Sequence, residues 1–128
     1  MEYTNNVLKP FHITEDKILE VLYKDDVVVT LDEMKFLLDD LYKFTGKKRL
    51  KRLIVISKNA KMDLAARIYL QESNKDNKDL IAAEAIVVYS LTQKMTTNFY
   101  LKFIKDIYPS KFFTDIEKAR DWLHKHNQ

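Results

Sequence analysis

The chain has 128 residues, of which 46% are hydrophobic, 12% aromatic and 32% charged, and this composition predicts one folded domain rather than a disordered chain. It has no cysteine and one glycine, Gly46, which excludes thiolate catalysis, zinc–cysteine and iron–sulfur sites, and glycine-rich loops that bind nucleotide phosphates. The net charge of +3 is small for a nucleic-acid-binding protein of this length, and we expect no cofactor.

The N-terminal residues 1–10 are polar where a signal peptide needs a basic start and a long apolar stretch. Fully apolar runs such as residues 85–89 are far shorter than the roughly 20 residues that span a bilayer. We therefore expect no membrane span and a cytoplasmic location. The domain is expected to occupy residues 1–128, with an N-terminal extension at residues 1–10 and a frayed tail at residues 125–128.

Two short apolar segments, residues 11–13 and 18–23, flank a polar break of the length that closes a β-hairpin. Residues 27–29 form a β-branched run that predicts a third strand. The Thr30 hydroxyl and the Glu33 carboxylate are spaced so that each can accept a hydrogen bond from the other's backbone N–H. This capping box predicts that the first helix begins here.

The first helix is predicted to end at Gly46 in a left-handed cap. Its buried stripe is expected to consist of Met34, Leu37, Leu38, Leu41 and Phe44. A run of cations accompanies the end of this helix: Lys43, Lys47, Lys48, Arg49, Lys51 and Arg52. We interpret this run as a solvated loop that complements the helix dipole, with a phosphate-binding patch as the alternative. We therefore expect no specific binding of nucleic acid.

The middle of the chain predicts a buried strand at residues 53–57 and a second helix at residues 62–73. A polar loop is expected at residues 74–79, followed by a buried strand at residues 85–89. Ala65, Ile68 and Tyr69 are expected to fall on one side of the second helix.

A third helix is predicted to begin with a capping box at residues 90–93 and to end before Pro109. A short strand at residues 112–113 and a third capping box at residues 114–117 then introduce the last helix. The apolar stripe of the third helix consists of Met95, Phe99, Phe103 and Ile107. We interpret it as core, with the lining of a lipid cavity as the alternative. The stripe of the last helix consists of Ile116, Ala119, Trp122 and Leu123.

Strands joined by helices predict an α/β fold, a mixed sheet of four to five strands with an N-terminal hairpin and about four packed helices. The sequence resembles the STAS-like domains, which include the sporulation anti-sigma-factor antagonists, and in particular their short bacterial SpoIIAA-like, STAS/SEC14 relatives. The resemblance is carried by residues 66–70 (ARIYL), 83–90 (AEAIVVYS), 98–102 (NFYLK), 112–115 (FFTD), 117–119 (EKA) and 122–123 (WL).

This resemblance implies a non-enzymatic regulatory or protein-interaction domain, with an unidentified protein partner. The alternative is a SEC14-like carrier or sensor of a small apolar ligand or lipid, which an interior cavity lined by Phe99 and Phe103 would favour. Sporulation-type antagonists carry an Asp-Ser-Ser-Gly turn whose serine is phosphorylated. Residues 63–66 read DLAA here, so no hydroxyl stands at the matching positions and we expect no such phosphorylation switch. We interpret Ser57 as structural.

Binding residues in a fold of this class are expected at the carboxyl ends of the parallel strands, where loops and helix N-termini meet. The candidates are Ser57, Lys58, Asn59, Lys61, Asp63, Ser90, Thr92 and Gln93. They could hold a small anion or an acidic partner side chain, or they could only cap the helices. No catalytic or metal-binding set is predicted. The oligomeric state is left open, with a homodimer as one option.

Overall fold

The structure, a computed structural model, describes residues 6–126 and contains seven strands, four α-helices and a short 3-10 helix (Lys78–Leu80) within that range. The strands are β1 (His12–Ile13), β2 (Ile18–Leu22), β3 (Val28–Val29), β4 (Leu50–Val55), β5 (Lys61–Met62), β6 (Ile81–Val87) and β7 (Ser110–Phe113). The helices are α1 (Leu31–Thr45), α2 (Leu64–Asp76), α3 (Leu91–Ile104) and α4 (Ile116–His124). None of these helices is long and apolar enough to cross a bilayer.

The main sheet has five strands in the order β1-β2-β4-β6-β7. The β1–β2 pair is antiparallel, and the other three pairs are parallel. A helix lies in each connection between parallel neighbours, as parallel pairing requires a long crossover. β3 and β5 form a separate two-stranded parallel sheet. The mixed sheet with an N-terminal hairpin and four helices confirms the α/β fold expected from the sequence.

The two faces of the main sheet are covered by different helices. On one face, Ala119 and Leu123 of α4 pack against Leu53, Ala85 and neighbouring strand residues. On the other face, α1 packs its apolar stripe on β2, and α2 and α3 complete the layer. Alternate residues of β4 and β6 therefore face either α4 or the space beneath α1, α2 and α3.

The start of the described chain belongs to this core. Val7 and Leu8 are buried, and Leu8 forms an antiparallel bridge with Tyr23. At the other end, the His126 ring lies 4.1 Å from the Trp122 ring, measured between centroids. Residues 1–5 of the expected extension and residues 127–128 of the expected tail lie outside the described residues.

Two of the three expected helix caps have the expected N-cap residue. The Glu33 N–H donates to Thr30 Oγ1 at 3.3 Å, and the Thr30 N–H donates to Glu33 Oε1 at 3.1 Å. Ser90 caps α3. The third cap is Asp115, one residue later than predicted, and its carboxylate accepts from two N–H groups of the first turn of α4. A carboxylate there also interacts favourably with the helix dipole.

Gly46 follows α1, and its N–H donates to the Tyr42 carbonyl oxygen at 2.9 Å. Its φ of 64° is positive as expected, but its ψ of −141° lies outside the left-handed helical region. The predicted left-handed cap is therefore wrong, because φ has the expected sign but ψ does not have the value of a left-handed helical residue. The chain turns directly into an extended segment here because β4 begins only four residues later.

The interpretation of the basic run as a solvated loop is wrong for its last two residues, Lys51 and Arg52. β4 begins at Leu50, so Lys51 and Arg52 lie in a strand at the centre of the sheet and are only 9% and 4% exposed. Likewise, α2 continues to Asp76, and Asn74 in the predicted polar loop is buried. The polar side chains of Arg52 and Asn74 bond to each other inside the protein, so polarity was a misleading sign of solvent there.

Most of the side chains predicted for the apolar stripes of α2 and α3 are exposed, whereas Ile107 lies beyond the end of α3 and packs against the core. Ala65 is exposed, and Ile68 and Tyr69 are 50% and 38% exposed. The buried residues of α2 are Ala66 and Asn74. On α3, Met95, Phe99 and Phe103 are exposed, whereas the buried residues are Gln93, Thr97 and Ile104. Phe44 on α1 is also exposed, 5.6 Å from the Phe11 ring. The fully buried positions of these two helices are therefore mainly small or polar, and the two helices cover a cavity rather than a filled core.

Candidate functional site

Gln93 joins the two strand-end loops that the sequence marks as a candidate site. Its Nε2 donates hydrogen bonds to the carbonyl oxygens of Ser57 at 2.9 Å and Ala60 at 3.2 Å. Its Oε1 accepts from the Tyr89 N–H, and its own N–H donates to Ser90 Oγ. The two loops are therefore in contact, and Gln93 and Ser90 use these polar groups within the protein.

The rest of the first loop is held by Asp26. Its carboxylate accepts a hydrogen bond from Asn59 Nδ2 at 3.0 Å, and its N–H donates to the carbonyl oxygen of Lys58 at 2.9 Å. Asp63 precedes α2, but its side chain makes no capping hydrogen bond. A binding role for this loop cluster stays a prediction.

A cavity of about 400 Å³ lies between the main sheet and helices α1, α2 and α3. The strands beneath it contribute Val21, Tyr23, Ile54 and Ile86 to its walls. The helices contribute Leu38, Leu41, Leu70 and Phe99. Most of the wall is therefore aliphatic or aromatic, as in sites that bind small organic molecules.

Among the residues that the structure describes, Glu84 provides the only carboxyl group of this wall. It lies on β6, is 3% exposed, and its Oε1 accepts hydrogen bonds from three hydroxyl groups. The donors are Tyr100 at 2.7 Å, Ser110 at 3.3 Å and Tyr108 at the longer distance of 3.5 Å. The Tyr100 hydroxyl also contacts that of Tyr108 and accepts from Asn74 Nδ2 at 2.8 Å.

Burial dominates the electrostatics of this cluster. It raises the pKa of the Glu84 carboxyl, although the Tyr100 hydroxyl and the positive charge of Arg52 oppose the shift. Burial and the nearby Glu84 charge also raise the pKa values of Tyr100 and Tyr108. Both tyrosine hydroxyls therefore stay protonated at neutral pH.

Arg52 brings a permanent positive charge to the same cavity. Its Nη1 donates to Asn74 Oδ1 at 3.4 Å, and its Nη2 donates to the Tyr42 hydroxyl at 3.2 Å. Its guanidinium carbon lies 5.5 Å from the centre of the Tyr42 ring. Within residues 6–126, Arg52 forms no ion pair, and its buried Nε has no hydrogen-bond partner.

Arg67, on the first turns of α2, lies between this cavity and a smaller one of about 210 Å³. The smaller cavity is also lined by Lys61, Thr92 and Gln93 of the predicted loop site. The Arg67 side chain is half-buried and has no hydrogen bond or ion pair within the described part of the chain, and its Nε is buried. The predicted site thus adjoins the larger cavity through Arg67.

The larger cavity opens between α2 and α3. Leu64 and Ile68 on α2 and Phe99 on α3 line it, yet these side chains are 62%, 50% and 66% exposed. We use the name mouth surface for exposed apolar side chains of α2 and α3, which comprise these three residues and the others that share helical spacing with Phe99 on α3: Leu64, Ile68, Leu91, Met95, Phe99 and Phe103. A molecule entering the cavity from solvent would pass Leu64, Ile68 and Phe99.

Comparison with known proteins adds a family and a fold. The model of a family described as a domain of unknown function, DUF7793, matches residues 11–127. The chain belongs to the DUF7793 family. It is also similar to the crystal structure of an uncharacterised DUF3478 protein with a SpoIIAA-like fold from Shewanella loihica, with 19% identity and a TM-score of 0.64. The similarity covers 96% of this chain and 98% of the other. No curated protein matches the chain.

This similarity confirms the SpoIIAA-like fold that the sequence resemblance implied. At 19% identity it extends to the fold and not to an activity. Within residues 6–126 of this DUF7793 domain, no three His, Cys, Asp or Glu side chains converge as a metal site. The polar chemistry of the cavity therefore rests on two arginines, one glutamate and several hydroxyl and amide groups.

Sequence reasoning on this DUF7793 domain missed Arg52, Asn74 and Glu84 as cavity residues. Glu84 carried a usable signal, because it is a charged residue flanked on both sides by alanines in a strand buried along its whole length. Arg52 and Asn74 carried none, since arginine and asparagine are ordinary residues of polar loops. Tyr100 stood within one of the segments that carry the family resemblance, but nothing in its spacing marked it as a partner of Glu84.

Proposed function

We propose that this DUF7793 domain is a non-enzymatic binding domain that holds a small amphiphilic molecule in the cavity beneath α1, α2 and α3. The observation that carries this proposal is the cavity itself, which combines a volume of about 400 Å³ with apolar walls and a buried polar cluster. Phe99 lines it, as the sequence analysis required for a carrier, whereas Phe103 lies outside it at the mouth surface.

The size and the walls of the cavity support a ligand. Protein interiors are close-packed, and voids larger than one water molecule are few in a domain. A volume of about 400 Å³ falls within the range of small-molecule sites, roughly 300–1,000 Å³. An apolar tail placed against Ile54, Ile86 and Leu41 would be removed from water, which favours binding.

The polar cluster supports binding rather than catalysis. The carboxylate of Glu84 is engaged by hydroxyl groups of the protein, and the guanidinium of Arg52 is engaged by Tyr42 and Asn74. His12, His124 and His126 do not line the cavity, so no imidazole stands beside a hydroxyl there as a general base. Such a cluster can orient the polar end of a ligand.

A cavity-filling variant tests this function. Thr96 lies on α3, is half-buried and lines both cavities, so an indole there would occupy ligand space. We expect Thr96→Trp to reduce the affinity for a fluorescent long-chain probe, measured by titration, by at least tenfold. Native mass spectrometry of the wild-type protein from its host should detect a bound small molecule that the variant lacks.

The matched control is Thr114→Trp, which introduces the same side chain at an exposed position before α4 and outside the cavity. We expect this variant to bind the probe as the wild type does. Equal binding by the wild type and a folded Thr96→Trp, or no binding by the wild type, would overturn the proposed function.

A second candidate function is a regulatory interaction with a protein partner, and the mouth surface favours it. Contiguous exposed apolar side chains on one face of a protein often mark an interaction site. α3 carries Lys94 and Lys102 and no acidic residue, so the expected partner segment is apolar with acidic side chains. No hydroxyl stands at Leu64 or Ala65 at the start of α2, so such an interaction would not be controlled by phosphorylation there.

Charge substitution on the mouth surface distinguishes this second candidate. We expect Met95→Asp to abolish complex formation with a purified acidic, apolar partner segment, while Lys118→Asp on the exposed side of α4 leaves it intact. Size-exclusion chromatography with light scattering measures the complex. Retention of the complex by Met95→Asp would remove the mouth surface as the interaction site.

A further inference from the structure

We propose that the ligand of the large cavity carries a single anionic head group, a carboxylate or a phosphate monoester, which Arg67 and Arg52 bind while its apolar tail occupies the cavity. This inference rests on the proposed ligand-binding function and adds the chemical class of the ligand. It follows from the charges that line the two cavities, from their missing partners and from the arrangement of polar and apolar walls.

The charged residues around the two cavities are predominantly cations. Arg52, Arg67 and Glu84 line the larger cavity, and Lys61 and Arg67 line the smaller one. Among the described residues, three cations therefore stand against one carboxyl group. Positive charge held in apolar surroundings is unfavourable unless an anion accompanies it, and an anionic ligand would supply that partner.

Arg67 is the clearest sign of a missing partner. Its side chain neither donates a hydrogen bond nor forms an ion pair within residues 6–126, although its Nε is shielded from solvent. Buried polar groups in folded proteins almost always have a partner. A guanidinium is shaped to bind a carboxylate or phosphate through two parallel hydrogen bonds. Arg67 is therefore the residue that we assign to the head group.

Arg52 adds positive charge further inside. Its nearest acidic neighbour in the cavity wall is Glu84, but the two form no salt bridge, and Glu84 is engaged by three hydroxyl groups. Within the described residues no salt bridge neutralises Arg52, which contributes positive charge to the side of the cavity where the polar residues meet.

The rest of the cavity wall is apolar, and this indicates where the tail of the ligand would bind. Leu38, Leu41 and Ile54 are apolar and lie on the α1 side and the sheet side of the cavity, and Leu64, Ile68 and Phe99 line its mouth. A molecule with one charged end and one flexible apolar chain matches this division. A wholly polar molecule, or one charged at both ends, would leave the apolar wall unused.

The experiment compares four ligands with the same twelve-carbon chain: dodecanoate, dodecyl phosphate, dodecanol and dodecylamine. Isothermal titration calorimetry on the wild-type protein, below the critical micelle concentrations, measures each affinity. We expect at least one of the two anions to bind tenfold or more tightly than dodecanol, and dodecylamine to bind most weakly. The order of dodecanoate and dodecyl phosphate then distinguishes a carboxylate from a phosphate source.

Variants locate the effect. Arg67→Met keeps the length of the side chain without its charge, and we expect it to reduce the preference for the anion over dodecanol by about tenfold or more. Lys75→Met, at an exposed position on the same helix outside both cavities, is the matched control and should keep the preference. Arg52→Met is informative only where circular dichroism shows that it folds, because Asn74 and Tyr42 lose their partner.

Two failures can be told apart. Binding of dodecanol as tightly as both anions, or an unchanged anion preference in Arg67→Met, would overturn the head-group assignment and leave the proposed function standing. Absence of binding by all four ligands would overturn the proposed function itself. Tightest binding of dodecylamine would reverse the sign of the head group and assign it to Glu84 instead.

Discussion

Glu84 is an ionisable residue that is buried in the interior of the domain. Its titration should therefore change the free energy of unfolding with pH. Burial raises its pKa in the folded protein above the value in the unfolded chain. Between these two values the folded state binds more protons than the unfolded state, so the free energy of unfolding falls as the pH rises through this window.

We therefore expect Glu84→Gln to become more stable relative to the wild type as the pH increases from the ordinary glutamate range through the raised pKa. The substituted amide oxygen would still accept hydrogen bonds from the hydroxyl groups, but the side chain would not ionise. Urea denaturation at a series of pH values measures the difference. A difference in the free energy of unfolding that does not change with pH would show that Glu84 titrates normally.

Gly46 offers a second prediction for one residue. Its φ of 64° and ψ of −141° are accessible to glycine and strained for other residues. An added Cβ would meet no atom within 4 Å, so strain alone should act. We expect Gly46→Ala to lower the free energy of unfolding by about 1–3 kcal/mol. Lys47→Ala, at the exposed next residue, should have little effect, and an equal loss in both variants would contradict the conformational explanation.

At the scale of one element, α3 shows how an apolar stripe can mislead. Met95 and Phe99 recur at helical spacing but face solvent, whereas Ile104 on the same helix is fully buried. We expect Met95→Ser and Phe99→Ser to change the free energy of unfolding by less than about 0.5 kcal/mol each. Ile104→Ala, as the buried comparison, should cost about 2–5 kcal/mol. Denaturation midpoints measure these changes in stability. A large loss of stability in Phe99→Ser would support the interpretation of the stripe as core.

The first helix begins where its sequence indicates, and its N-terminal cap can be tested separately. Thr30 and Glu33 satisfy each other's backbone N–H groups at the start of α1. We expect Thr30→Ala to destabilise the protein by about 1 kcal/mol, in the range measured for such caps. Thr30→Asn should lose much less, because its side chain can replace the hydroxyl as acceptor. Equal losses of stability in the two variants would show that the hydrogen bond accepted by the Thr30 side chain does not stabilise the helix.

The fold of the whole molecule determines how many cations of the basic run are exposed and could contact nucleic acid. The strand position of Lys51 and Arg52 leaves Lys43, Lys47, Lys48 and Arg49 as its exposed cations. Lys43 forms an ion pair with Asp39 at 2.9 Å, and Arg49 donates to the Asp79 carbonyl oxygen at 3.1 Å. So few cations should support only weak, salt-sensitive and sequence-independent binding.

Fluorescence anisotropy with unrelated duplex and single-stranded probes tests this prediction at low and at physiological salt. We expect dissociation constants no tighter than about 10⁻⁴ to 10⁻⁶ M at physiological salt, without a preference among sequences. The variant Lys47→Ala with Lys48→Ala serves as the comparison. Submicromolar, sequence-dependent binding that this variant loses would identify a nucleic-acid site that the charges do not suggest.

The sequence by itself determined the class of the fold, the order of the four α-helices and the main-sheet strands, and two of the three predicted N-cap residues, but it missed β5, whose Met62 was predicted to begin the second helix. These features depend on local patterns, since alternation, helical spacing and capping residues act within a few positions of one another. The beginnings of β4 and β6 were placed too late for the same reason. Charged residues such as Arg52 and Glu84 were not expected inside strands, because a local pattern cannot show a distant partner.

Only the tertiary structure decided which face of α2 and α3 is buried and where the cavity lies. Arg52, Asn74, Glu84 and Tyr100 come from four elements, and their hydrogen bonds join residues 16 to 26 positions apart. These side chains are tolerated in the interior because other elements supply hydrogen-bond partners for most of their polar groups. On α3, Met95 faces solvent, and Phe99 lines the mouth of the cavity while remaining largely exposed. Such long-range compensation leaves no period or motif in the sequence.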